Sequence, residues 1–321
     1  MSPAPNKTWS NRNQFRPESE LRSGAVIVNP AFRDLIGGDD VEVRKHYTGT
    51  EWAEGPAYVP ARNGSDGFVV FSDVPNNRML KYDPGSGETT TFREPSHFSN
   101  GNTVDNEGRL VTCEHLRHAI SRLEHDGTHH VLVDSFEGKK LNSPNDLVVK
   151  SDGSIWFTDP PYGILSGREG NARESELDGN YVYRLVPDTG EISIVVNELD
   201  RPNGLAFSPD ETILYVADSG EPRNVAAFDV NSDGKSLSNF RIFAVVRPGI
   251  ADGFRCDELG NMWTSAHDGI HCFTPEGELI GKILVPEQRT ANCTFGDEDL
   301  KTLYICGDVS LYSVRLNVAG A

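Results

Sequence analysis

A pair of short apolar strands joined by an Asp- or Gly-containing turn recurs along this chain from residue 54 onward. Clear copies are PNDLVVKSDGSIWFTDP (144–160), PNGLAFSPDETILYVADSG (202–220) and ADGFRCDELGNMWTSAHDG (251–269). The same template fits EGPAYVPARNGSDGFVVFSD (54–73) and NGNTVDNEGRLVTCE (100–114), with a degenerate copy in ANCTFGDEDLKTLYICGD (291–308). Each copy opens on a polar residue and ends its second strand on another, and further strand-like runs follow, such as VAAFDV (225–230) and RIFAVV (241–246). Four strands per unit at a spacing of roughly 45 residues is the signature of a propeller blade. The predicted fold is therefore all-β, a six-bladed β-propeller over residues 41–321, with residues 1–40 as an irregular N-terminal extension. The last unit is one strand short, and VEVRKHY (41–47) is the candidate to supply it and close the ring. With 31 Gly and 19 Pro, the composition suits many tight turns.

In a propeller the first strand of every blade lines the central channel. The six opening residues, Glu54, Asn100, Asn145, Asn203, Asp252 and Asn292, should form an inner ring at one mouth. The residues ending the second strands, Asp73, Glu114, Asp159, Asp218, His267 and Asp308, should form a wider ring around the same mouth. Carboxylates and amide oxygens converging on one axis suit a hard divalent cation, because such ions take oxygen ligands and relieve the mutual repulsion of the acids. Glu54, Asn203 and Asp252 are the expected ligands. The long loop 160–181 should rise beside this mouth as a wall or lid, offering Tyr162, Arg168 and Arg173. His115 lies next to the mouth and is a candidate substrate contact.

The net charge of −18 argues against nucleic acid and against a polybasic membrane surface. Part of that excess, Glu54, Asp73, Glu114, Asp159, Asp218 and Asp252, is expected to face one channel mouth and make it acidic, attracting a divalent cation and disfavouring anions. The five Cys are odd in number, lack a C-x-x-C pair and read as buried free thiols. No apolar run is long enough for a transmembrane helix, and the first 25 residues lack a signal-peptide core, so a cytoplasmic protein, monomeric or weakly homo-oligomeric, is expected. DVNSDG (229–234) begins like an EF-hand loop, but Phe240 replaces the acid at its twelfth position and strands flank it, so it reads as a hairpin turn. The His-rich run 113–130 reads as a hairpin turning at Asp126-Gly127, its histidines mostly facing solvent.

Six motifs in order, WAEGPAY (52–58), SNGNTVDNEGRLVTCEH (99–115), LNSPNDLVVKSDGSIWFTDPPYG (141–163), RPNGLAFSPD (201–210), ADGFRCDELGNMW (251–263) and CTFGD (293–297), resemble the gluconolactonase family, which includes the senescence marker protein and luciferin-regenerating enzymes. The resemblance spans about residues 40–316. It implies a six-bladed propeller that opens a sugar lactone, of the glucono-1,5-lactone kind, to the aldonic acid. It further implies one divalent metal held by Glu54, Asn203 and Asp252, with Asn145 as a fourth ligand or a substrate contact. The metal is expected to be calcium, with magnesium, manganese, zinc or iron(II) as alternatives. Asp252 is the expected general acid/base, aided by an outer-ring acid such as Asp218. Asn100, Glu114, His115, Asn145, Tyr162 and Asp218 are the expected substrate contacts. The alternatives are hydrolysis of another ester or phosphoester on the same platform, or a non-catalytic calcium-binding propeller.

Overall fold

Strands that alternate small and apolar residues on both faces need cover on both sides, and a ring of stacked blades supplies it. The computed structural model describes residues 16–62 and 64–321. Six antiparallel sheets surround a channel, and their innermost strands are Ala53–Val59, Ser99–Val104, Leu147–Val149, Pro202–Phe207, Phe254–Cys256 and Thr290–Gly296. Four sheets follow chain order from the channel outward. The sixth takes its outermost strand from the other end of the propeller. Arg44–Thr48 pairs antiparallel with Ser310–Arg315, in the register Arg44↔Ser313 and Thr48↔Ser310. The run at 41–47 thus closes the ring, as its position implied.

The hydrophobic core is divided rather than central. Each of six apolar clusters is wedged between two neighbouring blades. Trp156 and Val182 of the third blade meet Leu205 and Val216 of the fourth. Phe71 and Leu80 of the first meet Tyr304 and Leu311 of the sixth, and the other clusters fill the remaining interfaces. Second strands are consequently buried from end to end, as in Ile155–Asp159 and Met262–Ala266. Each fully buried large side chain contributes about 1.5–3 kcal/mol of transfer free energy, so the blades hold one another rather than standing alone.

Part of the segment before residue 40 is ordered in a way the repeat did not foresee. Gly24–Ile27 adds a fifth strand to the outer edge of the fifth blade, with Gly24↔Leu284 and Ile27↔Gly281 paired. The short helix Phe32–Ile36 then drops the fully buried Phe32 ring against Trp263, centroids 5.7 Å apart. A lone four-residue apolar run carries no periodic signal, so only the open edge of its partner strand reveals it. All five cysteines are buried and free. The 229–234 segment lies in the turn between Asn224–Val230 and Leu237–Ala244. In the His-rich hairpin, His125 and His130 are exposed and His129 is half-buried, whereas His115 and His118 are buried. No helix among the described residues is long and apolar enough to cross a membrane.

Candidate functional site

The inner ring is built by a two-residue device, a polar residue followed by glycine. Backbone N–H groups of Gly101, Gly204 and Gly253 donate to the carbonyls of Asn145, Asp252 and Ala291 on the next blade, at 2.8, 2.9 and 2.7 Å. The approach is too close for a side chain, since a β-carbon on Gly204 would lie 2.1 Å from the Asp252 carbonyl oxygen. Gly55 adds a left-handed φ of 49°, which L side chains seldom adopt. These glycines draw the innermost strands together, so the polar residues before them converge on the axis.

Glu54, Asn100, Asn145, Asn203 and Asp252 all line one cavity of about 190 Å³, together with Tyr162 of the 160–181 loop. Asn292, the sixth member of the ring, is instead occupied from behind, its Nδ2 donating to Glu54 Oε2 at 3.2 Å. Side-chain amides link the blades in one direction. Asn100 Nδ2 donates to Asn145 Oδ1 at 2.7 Å, Asn145 Nδ2 to Asn203 Oδ1 at 2.6 Å, and Asn203 Nδ2 to Ser219 Oγ at 3.0 Å. Ser219 Oγ in turn donates to the Ala251 carbonyl at 2.9 Å, next to Asp252. The direction is set at the far end. His115 Nδ1 donates to the Glu169 carbonyl at 2.9 Å, leaving Nε2 to accept from Asn100 Nδ2 at 3.3 Å. Burial pushes the His115 pKa down, which favours the neutral ring this pattern needs. His115 therefore sits behind Asn100 and orients it; it does not line the cavity.

The wider ring is where sequence and structure part. Asp218, 2% exposed, accepts backbone N–H groups of Asp200, Arg201 and Gly220 at 2.9, 3.0 and 3.0 Å. Asp159 does the same for Asn142 and Ser143, both at 2.8 Å. Asp73 accepts the Glu51 N–H at 2.8 Å and pairs with Arg78 at 2.8 Å. Glu114 is buried between Arg93 at 3.1 Å and Arg117 at 3.4 Å. Asp73, Asp159 and Asp218 brace the loops that deliver the inner strands of their blades, a role a charged acceptor performs well for backbone donors. None of these four acids lines the cavity, so Glu114 and Asp218 are not placed to touch a substrate, and only His267 of that ring reaches it.

The acidic-mouth reading also needs correcting. Three carboxylates, from Glu54, Glu169 and Asp252, share the lining with three guanidinium groups, from Arg201, Arg223 and Arg289. The excess of acids in the chain is not concentrated at this mouth. In the 160–181 loop, Tyr162 lies on the short helix Tyr162–Leu165 and Glu169 follows it, both on the cavity wall. Arg168 instead pairs with Glu51 at 3.1 Å, and Arg173 donates to the Leu141 carbonyl at 2.6 Å.

Several of the missed residues had a signal. Trp52, Arg201, Ile250 and Thr290 each precede an inner-ring residue by two positions. Strand side chains alternate, so the residue two back faces the same way. The others, Ser219, Arg223 and Arg289, come from turns whose course only the fold defines.

The donor set fits a hard cation. Its acceptors, from Glu54, Asn145, Asn203 and Asp252, are all oxygens. Glu54 is 4% exposed, and burial followed by the charges of Asp252 and Asp146 pushes its pKa well above the ordinary carboxylate range. Two carboxylates held so close are costly without a cation between them. Asn100 Oδ1, buried without a partner, leaves one further acceptor at the same place.

Residues 52–307 match the model of the SMP-30/gluconolactonase/LRE-like region. The chain belongs to this family. It is 37% identical to a gluconolactonase of Zymomonas mobilis, over 84% of this chain and 80% of that one. Among solved structures it is similar to a gluconolactonase of Xanthomonas campestris, with 39% identity, a TM-score of 0.85, and 91% and 94% of the two chains covered. A regucalcin of Agrobacterium tumefaciens, described as a calcium-binding protein, shares the fold at 16% identity and a TM-score of 0.71, with 88% and 96% covered.

Proposed function

We propose that this protein is a hydrolase that opens a sugar lactone, of the glucono-1,5-lactone kind, to its aldonic acid, with a divalent cation held by Glu54, Asn145, Asn203 and Asp252. The observation that carries the reading is the meeting of these four oxygen-bearing side chains in one cavity, in a chain whose relatives in Z. mobilis and X. campestris are gluconolactonases. We assign calcium. Neutral amides mixed with two carboxylates suit its loose, oxygen-only coordination, and the A. tumefaciens relative is described as a calcium-binding protein. When bound, the cation supplies electrophilic polarisation of the lactone carbonyl and offsets the negative charge that develops on its oxygen.

The chain's own groups do the rest. The Asp252 carboxylate takes a proton from the attacking water as the water oxygen bonds to the carbonyl carbon. The tetrahedral centre then collapses, the bond from carbon to the ring oxygen breaks, and Asp252 returns the proton to that oxygen. Asp252 performs this without Asp218, whose two oxygens are committed to three backbone N–H groups. Both Nδ2 donors of Asn100 and Asn145 are engaged along the ring. Asn100 Oδ1, buried and without a partner, is an acceptor on this ring still to be satisfied. His115 fixes which way that amide faces, and Tyr162 walls the site on the loop side. Five buried, unbridged thiols accord with a reducing compartment such as the cytoplasm.

The test is proton release from a panel of aldonolactones, with and without chelator, for wild type and Asp252→Asn. We expect turnover that chelation abolishes and calcium restores, and a loss of at least a hundredfold in kcat for the variant. Absence of turnover on every lactone would remove the reading. Turnover indifferent to chelator would remove its metal.

A further inference from the structure

The cation-bearing side of the cavity is unused by the chemistry above. Arg201 stands immediately before the inner strand of the fourth blade, and Arg223 lies in the turn between Ile213–Asp218 and Asn224–Val230. Both are half-buried on the cavity wall. Neither guanidinium makes a side-chain hydrogen bond or ion pair among the described residues, although this chain carries 48 acids against 30 bases. Most other arginines have taken a carboxylate, as Arg78, Arg93, Arg109, Arg241 and Arg315 have. Arg289 reaches the same wall from the start of the sixth blade, with its guanidinium 5.6 Å from the Trp52 ring centroid.

Two of these charges, Arg289 and Arg223, act on His267. Its pKa is pushed down by burial first and then by Arg289, Arg16 and Arg223, against the opposing charge of Asp268. Several cations acting on one imidazole mark a region of positive potential at the wall of a cavity whose axial end carries Glu54 and Asp252. A guanidinium left without a carboxylate partner is a preformed fork for an oxyanion. Neutral hydroxyls would be served as well by the amides and hydroxyls that line the rest of the ring.

We propose that Arg201 and Arg223 bind a terminal oxyanion of the substrate, so that the preferred lactone carries a phosphate, sulfonate or carboxylate at the end remote from its carbonyl. The lactone in this statement rests on the proposed function; the oxyanion site does not, and can be read by binding alone. Arg289 and His267 complete the wall.

Two measurements on the full chain test it. The first compares kcat/KM for glucono-1,5-lactone with that for its 6-phospho, 6-sulfo and 6-carboxylate counterparts, which separates the three oxyanion sources. The second titrates 6-phosphogluconate against gluconate by calorimetry and needs no turnover. We expect at least one anionic lactone to exceed the neutral lactone tenfold in kcat/KM, and 6-phosphogluconate to exceed gluconate, which lacks the terminal oxyanion, tenfold in affinity. Both ratios should fall towards one in the Arg201→Gln/Arg223→Gln double variant, and Arg223→Lys should recover part of each. Thermal melting of the variants shows whether the fold is kept, and the Lys variant reads charge with the side chain's bulk retained. A ratio near one in wild type for every anion overturns the proposal. So does a ratio that survives in the folded double variant. Preferential binding of 6-phosphogluconate without turnover of any lactone upholds the oxyanion site and refutes the lactonase. Turnover of the neutral lactone without anion preference does the reverse.

Discussion

Replacing Asp218 with Asn separates a bracing role from a chemical one. In the wild type, Oδ1 accepts the N–H groups of Arg201 and Gly220 and Oδ2 accepts that of Asp200. An Asn oxygen at the Oδ1 position keeps two of the three, while its NH₂ group then faces the Asp200 N–H, donor against donor. A buried donor left unsatisfied costs about 1–3 kcal/mol, and loss of the formal charge weakens the two surviving bonds by about 1 kcal/mol in total. The expected destabilisation is about 3 kcal/mol. Unfolding entropy of about 2.1 cal/mol/K per residue makes this roughly a 4 °C fall in Tm for a chain of 321 residues. The folded enzyme should keep most of its chemistry, because Asp218 is 2% exposed and does not line the cavity. Differential scanning calorimetry gives the first number, and initial rates of proton release at 25 °C, where the variant is folded, give the second. We expect kcat within tenfold of wild type. An unchanged Tm with a hundredfold loss of kcat would return Asp218 to the chemistry and refute the bracing account.

Other perturbations probe the ring and its supports. Gly204→Ala puts a β-carbon 2.1 Å from the Asp252 carbonyl oxygen and 2.7 Å from the Gly253 Cα, backbone atoms that cannot swing aside. It should cost about 1–3 kcal/mol and, by parting Asn203 from Asp252, lower kcat more than tenfold; wild-type melting and kinetics would contradict the close-packed ring. Asp159 is fully buried, which raises its pKa from 3.8 to about 7 despite two backbone donors. A raised acid pKa means that the folded state holds the proton more tightly than the unfolded one. The group's contribution to stability is therefore present in full below pH 4 and declines as pH rises through 7. Asp159→Asn should flatten that slope in a plot of Tm against pH between 4 and 7, and parallel curves for the two proteins would argue against it. His115→Phe should release the Asn100 amide from its fixed orientation, raising KM for lactone more than it lowers kcat; a fall confined to kcat would count against a positioning role.

Much of this protein is legible in the order of its residues, because a propeller repeats its instructions. The polar-Gly pair at 54–55, 100–101, 203–204 and 252–253 marks four of the six channel strands, the repeat spacing places Asn145 on another, and alternation fixes which side chains face the axis. That sufficed to bring Glu54, Asn100, Asn145, Asn203 and Asp252 to one place. The ends of the second strands were harder to read. Asp73, Asp159 and Asp218 recur at one register as the inner ring does, yet they face into the blade to hold backbone donors. Equal spacing gives equal position in the repeat; it does not say whether a carboxylate looks toward solvent, a ligand or its own chain.

What the sequence determined by itself is whatever depends on period: the number of blades, the strand that closes the ring and the membership of the inner ring. These follow from local geometry copied along the chain. The tertiary structure alone decided what depends on meetings between distant turns. It set the direction of the amide chain from His115 to Ser219 and added the strand at 24–27 to the fifth blade. It also placed Arg201, Arg223 and Arg289 on the cavity wall. A net charge is a sum over the whole chain, and its sign at one cavity depends on which few side chains the fold brings there.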